Sequence, residues 1–516
     1  MDAKGIRKQF KRNKITVLLI SFYSGVIGIS DLGLKYYLKD QMNPSQFTKI
    51  LLLIKVAYLI KPIYGLLIDF VPIFGYRKKV YLFICFLINI ISWYLFIFKI
   101  NNNLIISIIC HFIINISISF TAVIGNSLQV EISKLQDNKY KISDSTSNFI
   151  SQKYLIKAIG TLIPSFFKGF LIEKYSIDII FYLCGIFSFI ILLSGIVLKE
   201  VKNTKIRKTR SRRHIFLTPL EEEEQRDKGN NKLLNLIKNN NILIFFLLVF
   251  ILESSPSCAS PLFFYEVNVL KFDPKDLGLI DYTSQIVIIL FILVYKHYLK
   301  QYNFKLITFF VRIFIFGSFF LIYLLVIKRT QKYINDFILL TFSSSLYAGL
   351  HNLGQLPYNF LCIKFSSFGL EGTTDSLSIC FLYLGNMFAD YIDYHLSLYF
   401  NVNHYDFTNL GKLVFVENII NLIPLIYIWV IPIEFFSADK GKVNKSSTEL
   451  SSSDKNNIEN NINEQKNGQE NNIEDNNADI VDSILQNLVN DYSFNNHPEN
   501  QLSLEYYNSY RYINFE

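Results

Sequence analysis

The sequence predicts an all-α polytopic membrane protein: about twelve transmembrane helices in two six-helix bundles, with both termini inside. Three observations carry this prediction. The 516 residues are 51% hydrophobic and 16% aromatic, yet charge is pushed into a few segments. Runs such as ITVLLISFYSGVIGIS and VYLFICFLINIISWYLFIF are almost uninterrupted and approach the roughly 20 residues that cross a bilayer. A charged stretch near the middle, KIRKTRSRRH followed by EEEEQRDK, leaves six apolar runs on either side.

The elements follow in order. Residues 1–14 form a basic arm that resembles the start of a secretory signal. The apolar run after it is too long and lacks a small-residue cleavage site, so it reads as a retained signal anchor. The first bundle occupies 15–199, with spans at 15–38, 47–70, 79–99, 104–130, 150–173 and 178–199. Residues 200–241 form a charged cytoplasmic linker. The second bundle occupies 242–435, with spans at 242–268, 276–297, 304–327, 335–362, 371–400 and 411–435. Basic residues in the N-terminal arm, Arg77, Lys78 and Lys79 after the second span, and Lys296 and Lys300 after the eighth place these loops inside. Lys328, Arg329 and Lys332 are the counter-evidence.

From 436 to 516 the chain is Asn-rich, polar and too poor in apolar residues to fold, so a disordered cytoplasmic tail is expected. Within it Ile480, Val481, Ile484, Leu485, Leu488 and Val489 form a helical stripe, read as a transient helix or a short docking segment. The net charge of +9 lies beside apolar spans and points to no nucleic acid. Six cysteines fall inside apolar segments without metal-ligand spacing and read as packing thiols. Phosphate-loop, zinc-protease and nucleophile-elbow motifs are missing, so no enzyme, cofactor or metal is implied.

Charges within spans cost several kcal/mol unless paired or wet, and so mark functional candidates or structural ion pairs. Asp31 and Lys35 stand one turn apart in the first span. In the fifth, Lys153, Lys157, Gly160, Pro164 and Lys168 recur at helical spacing. Lys153 reads as snorkelling, and the deeper Lys157 as a site for an anionic substrate. Glu253 lies about 16 Å into the seventh span by helical rise, before the proline-interrupted SSPSCASP, which predicts a kinked or broken helix. Glu371 and Asp375 open the eleventh span, whose later part carries Asp390, Asp393 and His395; Glu417 and Asn421 share a face of the twelfth.

Two six-span bundles with a cytoplasmic linker match a common transporter plan, with substrate between the halves. Specific segments add a resemblance. Gly65 and Asp69 followed by Arg77 and Lys78 resemble the loop after helix two in the major facilitator superfamily. KPIYGLLIDFVPIFGYRKKVY resembles the folate–biopterin transporter family, the BT1-like branch of that superfamily. ISDLGLKYYLKDQMNPSQ, FILESSPSCASPLFFYEVNVLKFDPKDLG and LPYNFLCIKFSSFGLEGTTDSL resemble further segments of that family, with Ser367 where its proline is usual. The likeness covers roughly residues 15–435. It implies the major facilitator fold and a secondary active transporter (a symporter) moving folates, pterins or related precursors, with a proton as the coupling ion. It also implies a gating loop of Lys61, Pro62, Gly65, Asp69, Gly75, Tyr76, Arg77 and Lys78, matched by Pro256, Glu371 and Gly372.

Together these readings make Lys35, Lys157 and Glu253 the substrate-binding candidates, and Asp31, Glu253 and Asp390 the proton-coupling candidates. The expected partners are a small folate- or pterin-like molecule, protons and the lipid bilayer. The expected location is the plasma membrane, with an organelle membrane as the alternative. Other organic anions, amino acids or nutrients are the alternative cargo, and a receptor or scaffold acting through linker and tail is the alternative class. Lys61, Gly65 and Asp69 lie one turn apart on one stripe, with Gly65 permitting close helix approach. Asp69 ends a helix where the dipole disfavours an anion, so it requires either Arg77 or Lys78, or the start of the eleventh span.

Overall fold

The computed structural model describes residues 3–39, 43–99, 104–137, 142–200, 240–329, 332–366, 370–403 and 405–430. The chain divides into two units, Met1–Phe436 and Ser437–Glu516, and the described residues belong to the first. The linker from 201 to 239, the tail with its stripe at 480–489, and Ser367 lie outside them.

Helices stand where the twelve spans are expected. Seven are single: Lys79–Lys99, Leu104–Asp137, Ile142–Lys174, Pro274–His297, Phe304–Val326, Asp336–Phe365 and Glu371–Tyr399. Five are built from two pieces. The first span joins Ala3–Val26 to Ile29–Lys39, and the second joins Pro44–Lys55 to Lys61–Phe70 through a 3-10 turn, Val56–Tyr58. The sixth joins Ile177–Phe187 to Phe189–Val197, the seventh Asn240–Glu253 to Ala259–Asn268, and the twelfth Leu410–Ile420 to Ile423–Val430. Among the described residues, 9 segments are long and apolar enough to cross a membrane. The seventh falls short because it is broken, and the tenth and eleventh because they carry more polar residues. The fourth and fifth helices run beyond the expected ends, to Asp137 and from Ile142. Hydropathy marks where lipid stops, whereas a helix continues for as long as its backbone bonds do.

Each span sorts its faces by solvent. On the third, Leu87, Ile91, Leu95 and Phe98 are exposed at helical spacing, the pattern of a lipid-facing stripe. Its other face buries Leu82, Cys85, Asn89, Trp93 and Phe96. Buried Asn89 accepts from Tyr23 Oη at 3.0 Å and Ser188 Oγ at 2.6 Å, tying the first, third and sixth spans. Five cysteines are buried and Cys380 is half-buried; all six are free thiols.

One end of the bundle, here the linker end, gathers the start of the first span and the end of the sixth. Arg12 Nε donates to Val197 O at 3.0 Å. Glu200 accepts from the backbone N–H groups of Arg77, Lys78 and Lys79 at 2.7, 3.1 and 3.0 Å, capping the third helix with an anion. Between Asp69 and this cap lies a hairpin in which Ile73 and Tyr76 exchange two backbone bonds of 2.9 Å. Its central residues, Phe74 and Gly75, both take positive φ, at 52° and 82°. Glycine at that second position is the ordinary choice for a turn of this hand. Across the bundle, the second span packs on the eleventh and the fifth on the eighth.

Candidate functional site

Lys61, Gly65 and Asp69 all turn toward the eleventh span. A side chain on Gly65 would stand 2.2 Å from Ser376 Oγ and 2.5 Å from Gly372 O, so only hydrogen fits there. One turn on, Asp69 Oδ1 accepts from Gly372 N at 3.2 Å, and Oδ2 from Thr373 N at 2.7 Å and Thr373 Oγ1 at 2.8 Å. Of the two partners open to Asp69, the structure uses the helix N-terminus. Lys78 instead pairs with Glu131 at the end of the fourth span. Pro62 sits in the first turn of the helical piece that follows Leu59 and Ile60, where its missing N–H costs nothing.

Above the glycine contact the second span is wound as a 3-10 turn, and this break turns Tyr58 across the interface. Tyr58 and Tyr383 of the eleventh span stack with centroids 4.3 Å apart and planes 5° from parallel. The buried Lys61 ammonium lies over both rings, 5.0 and 4.3 Å from their centroids. Tyr58 Oη donates to Asn115 Oδ1 at 2.6 Å.

The fifth span carries the other cations of this region. Ile163, Phe166 and Phe170 mark its lipid side. Lys153, Lys157 and Lys168 fall on the opposite side by helical spacing, so they face into the bundle. Lys153 donates to Asn126 Oδ1 and, at 2.6 Å, to Gln129 Oε1, so it is held internally rather than snorkelling out. Lys157 keeps an accessible side chain on this inner face and lies within electrostatic reach of Asp31, which is likewise accessible. Lys168 pairs with Asp281 of the eighth span. Tyr154 accepts from Asn359 Nδ2 at 2.6 Å, joining the fifth and tenth spans.

The seventh span is broken where its prolines predict. Helix ends at Glu253, residues 254–258 are not helical, and Cys258 takes φ 48° before helix resumes at Ala259. Backbone groups freed inside a membrane must find partners. Arg312 donates to Leu252 O, Glu417 accepts from Cys258 N at 2.7 Å, and Asn421 Nδ2 donates to Pro256 O at 3.2 Å. Glu253 is buried, and accepts from Tyr358 Oη, His351 Nε2 at 3.3 Å and Asn386 Nδ2 at 3.4 Å. Arg312, Thr308, Gly354 and the same His351 and Tyr358 line a small cavity beside it.

The expected candidates therefore separate. Lys157, Asp31 and Lys61 stand with the tyrosine stack between the halves, and Tyr383 lies within electrostatic reach of both Asp31 and Glu253. Lys35 lies farther out, 5.4 Å from the centroid of Phe263. Asp390 is engaged across the interface by Lys55, at 2.5 Å. Glu371 is buried in the first turn of the eleventh span. Gly75, Tyr76 and Arg77 belong to the hairpin and cap beyond Asp69. The sequence reading missed Tyr58, Tyr383, His351, Arg312 and Asp281. The aromatics were hidden among 79 Phe and Tyr residues, and the signal for the break at Val56–Tyr58 was Pro62, which can donate no hydrogen bond to the Tyr58 carbonyl.

Comparisons with known proteins agree with this architecture. The model of the BT1 family matches residues 24–450. The chain is 26% identical over 425 residues to "Folate transporter 1" of Plasmodium falciparum, covering 81% of this chain and 79% of that one. It is 24% identical over 422 residues to the "Folate-biopterin transporter" of Synechocystis, covering 81% of each. Among solved structures, a proton:xylose symporter of the major facilitator superfamily superposes with a TM-score of 0.56 at 13% identity, covering 84% of this chain and 97% of that one. This last likeness establishes the fold.

Proposed function

The chain belongs to the BT1 family and is an integral multi-pass membrane transporter, and from that premise we propose that it carries folates, pterins or related precursors by alternating access, coupled to protons. One observation carries the substrate reading: the Tyr58–Tyr383 stack, with Lys61 over it and Lys157 facing the same interior. Such a site suits a flat heteroaromatic ring that slides onto tyrosine faces and an acidic group that meets lysine.

Alternating access requires that the halves part at one end at a time. Contacts of the right kind join them at both ends here. At the linker end Gly65 and Asp69 meet Gly372 and Thr373. At the far end Gly169 packs on the backbone of Pro274 and Gly278, beside the Lys168–Asp281 pair. We read this as an occluded arrangement, with each contact set acting as one gate. Asp31, Glu253 and Asp390 remain the proton-coupling candidates proposed from sequence, and the plasma membrane the proposed location.

The test is uptake of labelled folate and of a pterin by a folate-requiring host expressing the full chain, at two external pH values. Uptake of either that rises at acidic external pH is expected. Absence of both at each pH, with the protein present at the surface, would shift the reading to another organic anion or nutrient.

A further inference from the structure

A second polar cluster lies behind the broken seventh span, away from the tyrosine stack. Asp393 of the eleventh span is 4% exposed and Glu417 of the twelfth is 0% exposed. One oxygen of each carboxyl group and Cys258 Sγ all lie within 4.8 Å of one another. Two bare carboxylates this close offer each other only acceptors, whereas a proton on one of them would let it donate to its neighbour. In so dry a place two adjacent negative charges are also strongly disfavoured.

The donors around the pair leave one position open. Cys258 N–H satisfies Glu417 Oε2 at 2.7 Å, and Ser397 Oγ reaches Asp393 Oδ1 at 3.5 Å. Among the described residues Glu417 Oε1 is fully buried and accepts no hydrogen bond, the place a bound proton would satisfy. The charged and titratable groups facing the pair are few. Lys55 of the second span acts on Asp393 from a distance while it pairs with Asp390. Tyr347 of the tenth span lies within electrostatic reach of Glu417, and the Cys258 thiol comes from the seventh.

We propose that Asp393 and Glu417 jointly hold one exchangeable proton and form the proton site of the transport cycle. This rests on the proton-coupled reading above and moves its centre from Asp390 to the buried pair one turn away. In the step itself, one carboxyl O–H bond breaks and the proton leaves to water, so the pair gains one negative charge. That charge appears beside the Lys55–Asp390 pair, which joins the second and eleventh spans across the interface. It also appears on the carboxylate that accepts from Cys258 N, at the break whose other edge is Glu253. Loss or gain of the proton is thereby felt both at the interface and at the substrate side of the seventh span. Glu417 stands 7 residues into a helix that begins at Leu410, about 10 Å from that helix's start by helical rise.

The experiment uses purified full-length protein, wild type and the Asp393→Asn and Glu417→Gln variants, in proteoliposomes. Infrared difference spectra on pH titration read the protonated carboxyl directly and need no substrate. Wild type is expected to show a carboxyl C=O band that titrates, lost or shifted in each variant. Folate uptake driven by an inward proton gradient is expected to be lost in both variants, while folate counterflow without a gradient continues. An unchanged band together with unchanged gradient-driven uptake would overturn the proposal. Uptake that depends on sodium or a divalent cation and is flat in pH would overturn it too, assigning the trio to a metal ion. If wild type moves no folate or pterin, the transport reading fails while the infrared titration still decides the proton site. If one variant does not fold, the other carries the test.

Discussion

Thr373 gives both its backbone N–H and its hydroxyl to a single carboxylate oxygen of Asp69, at 2.7 and 2.8 Å, across the interface between the two halves. With Gly372 N–H on the other oxygen, a carboxylate from the end of one helix occupies the N-terminus of another. Hydrogen bonds to a charged group contribute about 1.5–3 kcal/mol each, and a gate that opens in every cycle needs interactions of that limited size.

Asp69→Asn keeps the shape and removes the charge. Transport should fall while membrane insertion stays normal, and a cysteine placed at Ser376 should become more reactive to a membrane-impermeant thiol reagent applied from the linker side. Normal kinetics with unchanged labelling would refute the gate at the linker end.

Gly65→Ala places a methyl group 2.2 Å from Ser376 Oγ and 2.5 Å from the Gly372 carbonyl, where nothing can yield without moving the eleventh span. Closure at the linker end should fail and uptake should be lost at normal surface expression. Gly317→Ala is the matched control, because a Cβ there meets nothing within 4 Å. Equal effects of the two substitutions would contradict the assigned gate.

At the far end, Lys168 is buried while Asp281 is partly exposed, so removing Asp281 leaves a buried ammonium unpaired and costs more than breaking a surface pair would. Lys168→Ala and Asp281→Asn should each slow transport by a few-fold, and the swapped pair Lys168→Asp with Asp281→Lys should recover part of the loss. Gly169→Val should be more severe, since a Cβ there stands 2.2 Å from Pro274 O. Additive losses in the double swap would argue that the two side chains act independently.

The tyrosine stack separates ring contact from hydroxyl contact. Tyr383→Phe preserves the aromatic face and should leave KM for folate close to wild type, whereas Tyr383→Ala should raise KM. Lys157→Ala should raise KM for folate more than for an uncharged pterin, since only folate carries the carboxylates that a lysine would meet. Identical KM values across these variants would remove the stack from the substrate site.

Much of this was legible in the chain. Glu253 followed by Pro256 and Pro261 announced a broken helix because proline removes a donor and clashes with the preceding turn. The stripe of Lys61, Gly65 and Asp69 announced a helix face with a close neighbour, since the spacing alone puts three residues on one side. Partner choice was not legible. Asp69 had two chemically adequate partners, and the structure took Thr373 and Gly372 because Lys78 already meets Glu131. Lys168 was visible as one of a basic row, but its partner Asp281 is 113 residues away. Asp393 was visible beside Asp390 and His395, and Glu417 beside Asn421, but nothing in the chain paired the two spans with each other.

By itself the sequence determined the spans, the break in the seventh and the polar faces, because a bilayer demands about 20 apolar residues per crossing and tolerates exceptions only where they are satisfied. Only the tertiary structure decided which exceptions meet. It stacked Tyr58 on Tyr383, gave Asp69 to Thr373 and brought Asp393 against Glu417. The physical reason is that a contact between distant helices depends on their rotation, depth and crossing angle, none of which local periodicity encodes.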